Sequence, residues 1–438
     1  MDASSFFRGK NITLMRVGLL GRGVKDAAYL AQCGATVLVV DDAPQAVMQP
    51  SVDALQKYPN ISFKFGSYDL HDFRTCDMVL KGAGVALNSP EIAEAKKNGI
   101  PVRMSADLFM ELAGIPVIGV TGTRGKSTVT HMLEAILKAA GKKVLLGGNV
   151  RGISTLALLP ETTPEHVAVL ELDSWQCQGL GEAALSPHIA VFTTFYPDHL
   201  NYYKDDPGQY LADKSNIFLY QDPDDTLVTG SQCAPTLIEA YGEHIISHMM
   251  IADDKKLPTD WTLTVPGAHN RYNAGIALVA ARAMGIGDET SRRPLAAFAG
   301  VPGRLELVAE KGDIRYYNDT TATTPEATLA ALAALGADHT VLIMGGADKG
   351  LDMSKLLAKL PEVKKVVLLA GTGTDRVHSE LPDAPMHDSL ENALADARAH
   401  AAPGDAILLS PAFASFGMFK NEFDRGDQFT ALAKGYGE

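Results

Sequence analysis

A glycine-rich segment between a predicted strand and a predicted helix is the first place where this sequence could bind a ligand. The segment reads TGTRGKST over residues 121–128 and follows a predicted strand at Val117–Val120. Glycines let backbone N–H groups turn towards an anion, and the positive end of the helix dipole attracts the same anion. Lys126 could reach the terminal phosphates of a nucleotide, and the Ser127 hydroxyl could ligate Mg²⁺. Because Val120 stands where the strict Walker spacing has glycine, the phosphate-loop pattern is met only in part.

Polar side chains follow two further predicted strands. Glu171 lies near the end of the run Val167–Leu172, and His199 comes soon after the run Ile189–Phe195. Because ligands collect beyond the carboxyl ends of parallel strands, Glu171 is a candidate metal ligand, whereas a lone histidine is more often structural. Lys214 falls in a predicted helix and, taken alone, has the pattern of a solvated surface lysine.

The elements that must position these residues follow a βαβ pattern. Short β-branched runs alternate with polar turns and helical segments along the chain, which is typical of parallel sheets. A chain of 438 residues exceeds what one hydrophobic core supports. We therefore predict an α/β protein of three domains: a Rossmann-like N-terminal domain (1–110), a central P-loop mononucleotide-binding domain (111–299) and a Rossmann-like C-terminal domain (300–438). The other predicted strands are Met15–Leu20, Ala35–Val40, Met78–Leu80, Val102–Met104, Ile314–Tyr317, Val341–Met344, Val366–Leu369 and Ile407–Leu409. The other predicted helices are Val24–Cys33, Pro207–Tyr220, Pro325–Leu335, Leu351–Lys359 and Ser389–His400, with a loop and a long helix over Thr264–Met284.

Composition excludes several classes of protein. A net charge of -13 argues against a nucleic-acid-binding protein, which needs a basic face. No apolar run approaches the ~18 residues that span a bilayer, so we expect a cytoplasmic protein without membrane partners. The four cysteines are scattered and predict neither disulfides nor a zinc site. The segment Gly18-Leu19-Leu20-Gly21-Arg22-Gly23 does not have the spacing of the NAD fingerprint.

Several motifs taken together resemble one family. In chain order they are GTRGKST, ELDSWQ, YPDHLNYY, ADKSNIF, GAHNRYN, PGRLE, NDTTATTP and LSPAFASFGMFKNEF. This set, spread over nearly the whole chain, is similar to the Mur ligase family, which builds the peptide stem of bacterial peptidoglycan. The resemblance implies an ATP-dependent amide-bond-forming ligase that passes through an acyl phosphate and yields ADP and phosphate. Its short N-terminal domain implies addition of D-glutamate to UDP-N-acetylmuramoyl-L-alanine, by a cytoplasmic monomer that serves cell-wall synthesis and cell division.

The resemblance also implies roles for particular residues. Catalysis would involve Lys126, His199 and Lys214, and Lys214 would carry a carbamate derived from CO₂. Two Mg²⁺ ions would be held by Ser127, Glu171, His199 and Lys214. ATP would contact Gly122, Thr123, Arg124, Gly125, Lys126, Ser127, Thr128, Asn270, Arg304 and Asp319. The UDP-sugar would contact Leu19, Leu20, Gly21, Arg22, Asp41 and Asn149, and glutamate would contact Thr323, Lys349, Ser415 and Phe423.

Two departures from the family pattern concern the amino-acid site. Thr321 replaces the lysine of the family's D-S-K-A-T-N motif, and Glu422 occupies the register of an aromatic residue, which comes next as Phe423. L-glutamate is therefore the main alternative to D-glutamate as the amino acid added. A folylpolyglutamate-type ligase is a further alternative, although it lacks a UDP-binding first domain. A nucleotide-binding regulator would not need Glu171, His199 and Lys214 together. An NAD-linked dehydrogenase would not hydrolyse ATP.

Overall fold

Three β-sheets follow one another along the chain, each within one of the predicted domains. The computed structural model describes residues 3–18, 21–150, 152–196, 198, 200–203 and 206–435. The protein divides into two compact units: the first runs to Trp261 and includes Tyr272–Leu295, and the second comprises Thr262–Arg271 and the chain from Ala296 onward. The first unit holds two of the sheets and the second unit holds the third. Among the described helices, none combines the length and the hydropathy that crossing a bilayer requires.

The first sheet has five parallel strands in the order β3-β2-β1-β4-β5. The strands are β1 (Asn11–Met15), β2 (Thr36–Asp41), β3 (Ile61–Phe65), β4 (Met78–Lys81) and β5 (Val102–Arg103). The helices are α1 (Ala3–Phe7), α2 (Arg22–Gln32), α3 (Gln45–Leu55), α4 (Pro90–Lys97) and α5 (Ser105–Leu112). The predicted strand Met15–Leu20 is wrong, because the chain leaves the sheet at Arg16, whose φ of 61° is incompatible with a strand.

The middle sheet has six parallel strands in the order β11-β10-β9-β6-β8-β7. They are β6 (Val117–Thr121), β7 (Lys143–Gly148), β8 (His166–Glu171), β9 (Ile189–Phe192), β10 (Thr226–Gly230) and β11 (His248–Ala252). The helices are α6 (Lys126–Ala139), α7 (Ser174–Ala183), α8 (Leu200–Tyr203), α9 (Pro207–Ser215), α10 (Ala234–Tyr241), α11 (Ala268–Ala283) and α12 (Asp288–Ala296). The phosphate-loop strand β6 is therefore central, between β8 and β9.

The third sheet has the order β12-β13-β17-β14-β15-β16, with only β12 antiparallel to its neighbour. Its strands are β12 (Glu306–Lys311), β13 (Ile314–Asn318), β14 (Thr340–Gly345), β15 (Lys365–Leu369), β16 (Met386–His387) and β17 (Ala406–Leu409). Its helices are α13 (Pro325–Leu335), α14 (Ser354–Lys359), α15 (Thr372–Val377), α16 (Leu390–His400) and α17 (Glu422–Gly435). Val341 and Ile343 of β14 pack into one hydrophobic cluster, and Leu342 and Met344 pack into another. This period-two alternation buries both faces of the sheet, as expected for a doubly wound fold.

Candidate functional site

The predicted phosphate loop connects the central strand β6 to helix α6. Gly122 and Gly125 have φ values of 138° and 89°, which side-chain-bearing residues rarely adopt. A Cβ atom added at Gly125 would lie 2.5 Å from Asn273 Oδ1, and one added at Gly122 would overlap the Thr193 hydroxyl. Both positions therefore require glycine, and the backbone N–H groups at the start of α6 can point towards an anion.

Two threonines after the neighbouring strand β9 fix the shape of this loop. Thr193 Oγ1 donates a hydrogen bond to Arg124 O at 2.6 Å, and Arg124 N donates to Thr194 Oγ1 at 2.9 Å. Thr123 N donates to Thr194 O at 2.7 Å. These hydrogen bonds from the residues after β9 hold the loop in position. Neither threonine was predicted to contact the loop, since both fell inside the predicted strand Ile189–Phe195. The strand ends at Phe192, so both lie at the carboxyl edge of the sheet.

Two lysines converge on one carbonyl oxygen of the loop. Lys126 Nζ and Lys214 Nζ each donate to Gly122 O at 2.9 Å. Lys214 reaches it from α9, where its side chain is 1% exposed and its ammonium lies 4.8 Å from the ring centre of Tyr210. Burial, reinforced by the nearby charge of Lys126, lowers the pKa of Lys214 to about 7. The reading of Lys214 as a solvated surface residue is therefore wrong, because α9 packs it against the loop.

Oxygen ligands suited to a hard cation lie beside the loop. Glu171 ends β8, pairs with Val120 of β6, and is buried, with no hydrogen bond to its carboxylate among the described residues. Ser127 is also buried, in the first turn of α6. In the described part of the chain no group of three or more His, Cys, Asp or Glu side chains is arranged around a metal position. His199, the remaining predicted ligand, lies outside the described residues.

A cavity of about 460 Å³ opens in the first unit beyond the carboxyl ends of β1, β2 and β4. Arg22 and Asp41, two of the residues predicted to contact the UDP-sugar, line it. Arg22 Nη1 donates to Asn149 Oδ1 at 2.8 Å, so the structure brings together two predicted contacts that lie far apart in sequence. Gly21 precedes α2 with a φ of 80°. Leu19 and Leu20 lie outside the described residues.

Four further charged residues line this cavity and were not predicted as contacts: Arg16, Asp26, Asp42 and Lys81. Arg16 binds the carboxylate of Asp42, with Nη2 and Oδ2 2.9 Å apart. Lys81 is 3% exposed and burial lowers its pKa to about 8. Asp26, on α2, is buried and accepts hydrogen bonds from two serine hydroxyls. None belongs to a recognisable motif. Arg16 and Asp42 directly follow β1 and β2, Lys81 ends β4, and Asp26 lies in α2, so only these positions could have indicated them.

The predicted ribose-binding acid of the second unit is held rigidly. Asp319 follows β13, and its carboxylate accepts from Leu305 N at 3.0 Å and from Ser410 Oγ at 2.8 Å. Burial raises the pKa of Asp319 to about 7. Asn270 is buried and donates to Pro266 O at 2.7 Å, whereas Arg304 is exposed.

Predicted glutamate contacts lie after three adjacent strands of the third sheet. Thr323 follows β13, Lys349 follows β14 and Ser415 follows β17. Lys349 Nζ lies 3.4 Å from Thr323 Oγ1, so these two residues meet. Ser415 is buried, and Phe423 lies half-buried in the first turn of α17.

A buried arginine in the same region was missed. Arg425 is fully buried, donates to Thr320 O at 2.9 Å and to Thr320 Oγ1 at 3.1 Å, and has no carboxylate in contact among the described residues. Burial lowers the pKa of Arg425 to about 10. Thr320 precedes Thr321, where the motif lysine is absent, so Arg425 supplies a positive charge to the loop that lost one.

Comparison with protein families covers all three parts of the chain. The Mur ligase MurD-like N-terminal domain matches residues 11–104, the Mur ligase middle domain matches 120–261, and the Mur ligase glutamate ligase domain matches 303–413. Among curated relatives, a UDP-N-acetylmuramoylalanine--D-glutamate ligase from Roseiflexus sp. (strain RS-1) is 37% identical over 98% of this chain and 99% of its own length. The protein of the same name from Anaeromyxobacter dehalogenans (strain 2CP-C) is 33% identical with the same coverage.

Solved structures share the fold. UDP-N-acetylmuramate-alanine ligase from Thermotoga maritima has a TM-score of 0.61 at 17% identity and covers 97% of this chain and 99% of its own. MurF from Acinetobacter baumannii has a TM-score of 0.58 at 16% identity, covering 98% and 92%. FolC from E. coli, solved with ADP, has a TM-score of 0.57 at 20% identity, covering 75% and 92%. At such identities these structures show the α/β fold alone. The full-length relatives and the matches in all three domains show that the chain belongs to the Mur ligase family.

Proposed function

We propose that this enzyme uses ATP to add D-glutamate to UDP-N-acetylmuramoyl-L-alanine, through an acyl phosphate, in peptidoglycan precursor synthesis. The observation that carries the proposal is the buried Lys214 amine, which shares the Gly122 carbonyl with Lys126 at the phosphate loop. A phosphate loop serving only to bind nucleotide has no use for a second, desolvated amine. The curated relatives that match nearly the whole chain bear the name of this activity.

The loop residues would bind and orient the triphosphate. Backbone N–H groups at the start of α6 and the ammonium of Lys126 face negative charge that accumulates on phosphoryl oxygens during transfer. Holding the alanyl carboxylate and the γ-phosphate in line would contribute on the order of 7–11 kcal/mol of the barrier lowering. The glutamate amine then attacks the acyl phosphate, and phosphate leaves as the amide bond forms. The side chains named here bind and orient the reactants, since cleavage of ATP supplies the free energy for amide-bond formation.

The donor set beside the loop fits Mg²⁺. Glu171 is buried and without a hydrogen-bonded partner among the described residues, and Ser127 offers a buried hydroxyl at the loop. When bound, Mg²⁺ would neutralise phosphate charge. We propose that Glu171, Ser127, His199 and a carbamate on Lys214 hold two such ions. A pKa of about 7 supports the carbamate, because CO₂ reacts only with a neutral amine and about half of a group with this pKa is neutral at pH 7.

The UDP-sugar is proposed to occupy the cavity of the first unit. Arg22 and Asn149 offer hydrogen-bond donors near the N-terminus of α2, which favours an anionic diphosphate. Asp41, on the wall of the same cavity, offers a carboxylate for the uracil base, and Leu19, Leu20 and Gly21 complete the proposed contacts. The match of residues 11–104 to a MurD-like N-terminal domain supports this substrate over a folate.

Glutamate is proposed to bind at Thr323, Lys349, Ser415 and Phe423. The Lys349 ammonium would pair with a carboxylate of the amino acid, and Thr323 Oγ1 beside it would orient that pair. ATP is proposed to contact Asn270, Arg304 and Asp319 in addition to loop residues 122–128. We propose that the reaction takes place in the cytoplasm, where ATP and nucleotide sugars are available. We also propose that the enzyme is a monomer, since one chain contains every proposed contact.

Phosphate release tests the proposal. The enzyme is incubated with ATP, Mg²⁺, UDP-N-acetylmuramoyl-L-alanine and either D- or L-glutamate, and each component is then omitted in turn. Phosphate release that requires every component, with D-glutamate as the amino acid, is expected. Phosphate release with L-glutamate but not with D-glutamate would identify L-glutamate as the amino acid added. Phosphate release without the UDP-sugar would overturn the proposed reaction. Lys126→Ala is the matched negative control, since it removes the ammonium at the phosphates.

A further inference from the structure

Arg16 has a backbone conformation that arginine rarely adopts. Its φ is 61°, in the left-handed region, where the Cβ atom of an L-residue lies too close to the following carbonyl oxygen. The residue directly follows β1, and its N–H still donates to Val40 O at 2.9 Å. Residues held in such conformations cluster at ligand sites, where the surrounding structure over-determines them.

The backbone around Arg16 leaves it no freedom to relax. A Cβ atom added at Gly82 would lie 2.6 Å from Arg16 O, and one added at Gly23 would overlap Val17 O. Gly82, which follows β4, and Gly23, in the first turn of α2, therefore pack directly against the backbone of residues 16 and 17. Glycine would fit the position without strain, so an arginine here calls for a reason beyond folding.

The Arg16 guanidinium is held by one ion pair and keeps further N–H donors. Nη2 binds Asp42 Oδ2 at 2.9 Å, and the side chain remains 45% exposed on the wall of the 460 Å³ cavity. Asp42 and the nearby hydroxyl of Tyr68 raise the pKa of Arg16 above its usual value, so the group is always charged. Because Asp42 balances that charge, the remaining N–H donors suit a neutral acceptor better than a phosphate.

Asp41 lies next to this pair. Asp41 is 5% exposed, its Oδ1 accepts from Ala43 N at 3.1 Å, and its carboxyl group lines the cavity beside that of Asp42. A uracil ring carries one N–H donor with a carbonyl acceptor on each side. A carboxylate that accepts from the ring N–H therefore needs a donor beside it to satisfy an adjacent carbonyl, and Arg16 is the donor that lines the same wall.

We propose that Arg16 is a specificity-determining residue, whose guanidinium, fixed by Asp42, donates to a carbonyl of the pyrimidine held at Asp41. The inference rests on the proposed UDP-sugar substrate. It assigns the strained arginine to the base and not to the diphosphate, which faces Arg22 and Asn149.

The test compares UMP and UDP binding by calorimetry to the full-length wild type and to Arg16→Gly. Glycine fits the φ of 61°. We expect affinity to fall about tenfold for both nucleotides, the value of one hydrogen bond from a charged donor. The loss should be equal at low and high salt, and the melting temperature should be unchanged or higher. Arg16→Asn, which also tolerates the left-handed region, should show the same loss.

Ala184→Gly is the matched control, because Ala184 also has a left-handed φ, of 50°, at an exposed position outside the cavity. It should leave both affinities unchanged. Unchanged UMP affinity in Arg16→Gly would overturn the inference, as would a loss confined to UDP or one that disappears at high salt. Wild-type enzyme that binds neither nucleotide would overturn it too. The phosphate-release assay decides the proposed reaction independently of these titrations.

Discussion

The buried carboxyl group of Asp26 offers a direct test of how much burial of a charge destabilises the first unit. Its carboxylate accepts from Ser105 Oγ at 2.9 Å and from Ser154 Oγ at 2.5 Å, both through Oδ1. Burial nevertheless raises its pKa from 3.8 to about 6, so desolvation outweighs the two hydrogen bonds. We expect Asp26→Asn to keep both serine contacts through the amide oxygen while removing the charge.

The size of the effect follows from the pKa. A rise of about two units corresponds to about 3 kcal/mol, at about 1.4 kcal/mol per unit. Because the folded pKa is the higher one, the folded form holds the proton more tightly. Stability is therefore fully present below pH 3.8 and falls as the pH rises to about 6. Above pH 6 the wild type carries the full cost, and Asp26→Asn should be more stable by up to about 3 kcal/mol. At pH 4 the two proteins should nearly coincide.

Urea unfolding followed by tryptophan fluorescence is the appropriate measurement, because the two tryptophans, Trp175 and Trp261, both lie in the first unit. The difference in unfolding free energy between wild type and variant is recorded at pH 4, 6 and 8. Asp53→Asn on α3, an exposed position, is the matched control and should show a far smaller change. A difference between wild type and Asp26→Asn that is the same at every pH would refute the reasoning from burial.

Three other substitutions test the sites directly. Gly125→Ala forces a Cβ against Asn273 and should lower kcat/KM for ATP by at least about 100-fold. The control is Gly141→Ala, at a similar φ of 77° but with open space around the position, which should affect stability alone. Equal losses in the two variants would contradict this. Lys349→Ala should raise KM for glutamate about tenfold without changing KM for ATP. The control variant Lys355→Ala should change neither KM. A rise in KM for ATP instead would assign Lys349 to the nucleotide site. Arg425→Met should lower the unfolding free energy by about 1–3 kcal/mol, because it leaves buried carbonyl oxygens unpaired. Urea unfolding is followed here by circular dichroism, since both tryptophans lie in the first unit, and an unchanged transition would show that no such penalty exists.

The sequence predicted the central strands well and the edge strands poorly. Val341–Met344 was predicted and the structure has a strand at Thr340–Gly345, because buried parallel strands give continuous apolar runs. Five of the seven strands that were missed, β3, β7, β11, β12 and β16, lie at the edges of their sheets, whereas the other two, β1 and β10, lie inside theirs. Edge strands such as His248–Ala252 are largely exposed, so they lack the apolar run on which the prediction depends.

The candidate site was predictable where it is local in sequence. The phosphate loop combines strand, glycines and helix within one short segment, so its geometry follows from residue types alone. Thr193 and Thr194 contribute as much to the shape of that loop, but their hydrogen bonds join positions about 70 residues apart. No local pattern encodes such a contact, and only the strand order places β9 beside β6.

Lys214 shows why the chemistry of the site could not be derived from residue spacing. On its own helix it reads as a surface lysine, and α9 has no feature that distinguishes it from a solvated helix. Its 2.9 Å hydrogen bond to Gly122 O spans 92 residues, and its lowered pKa depends on burial and on Lys126, both consequences of packing. The resemblance to a family identified the residue, whereas the fold explains why its amine can be neutral near pH 7. The reactive property therefore belongs to the packed arrangement of β6, the loop and α9, since no one of these elements alone would desolvate the amine.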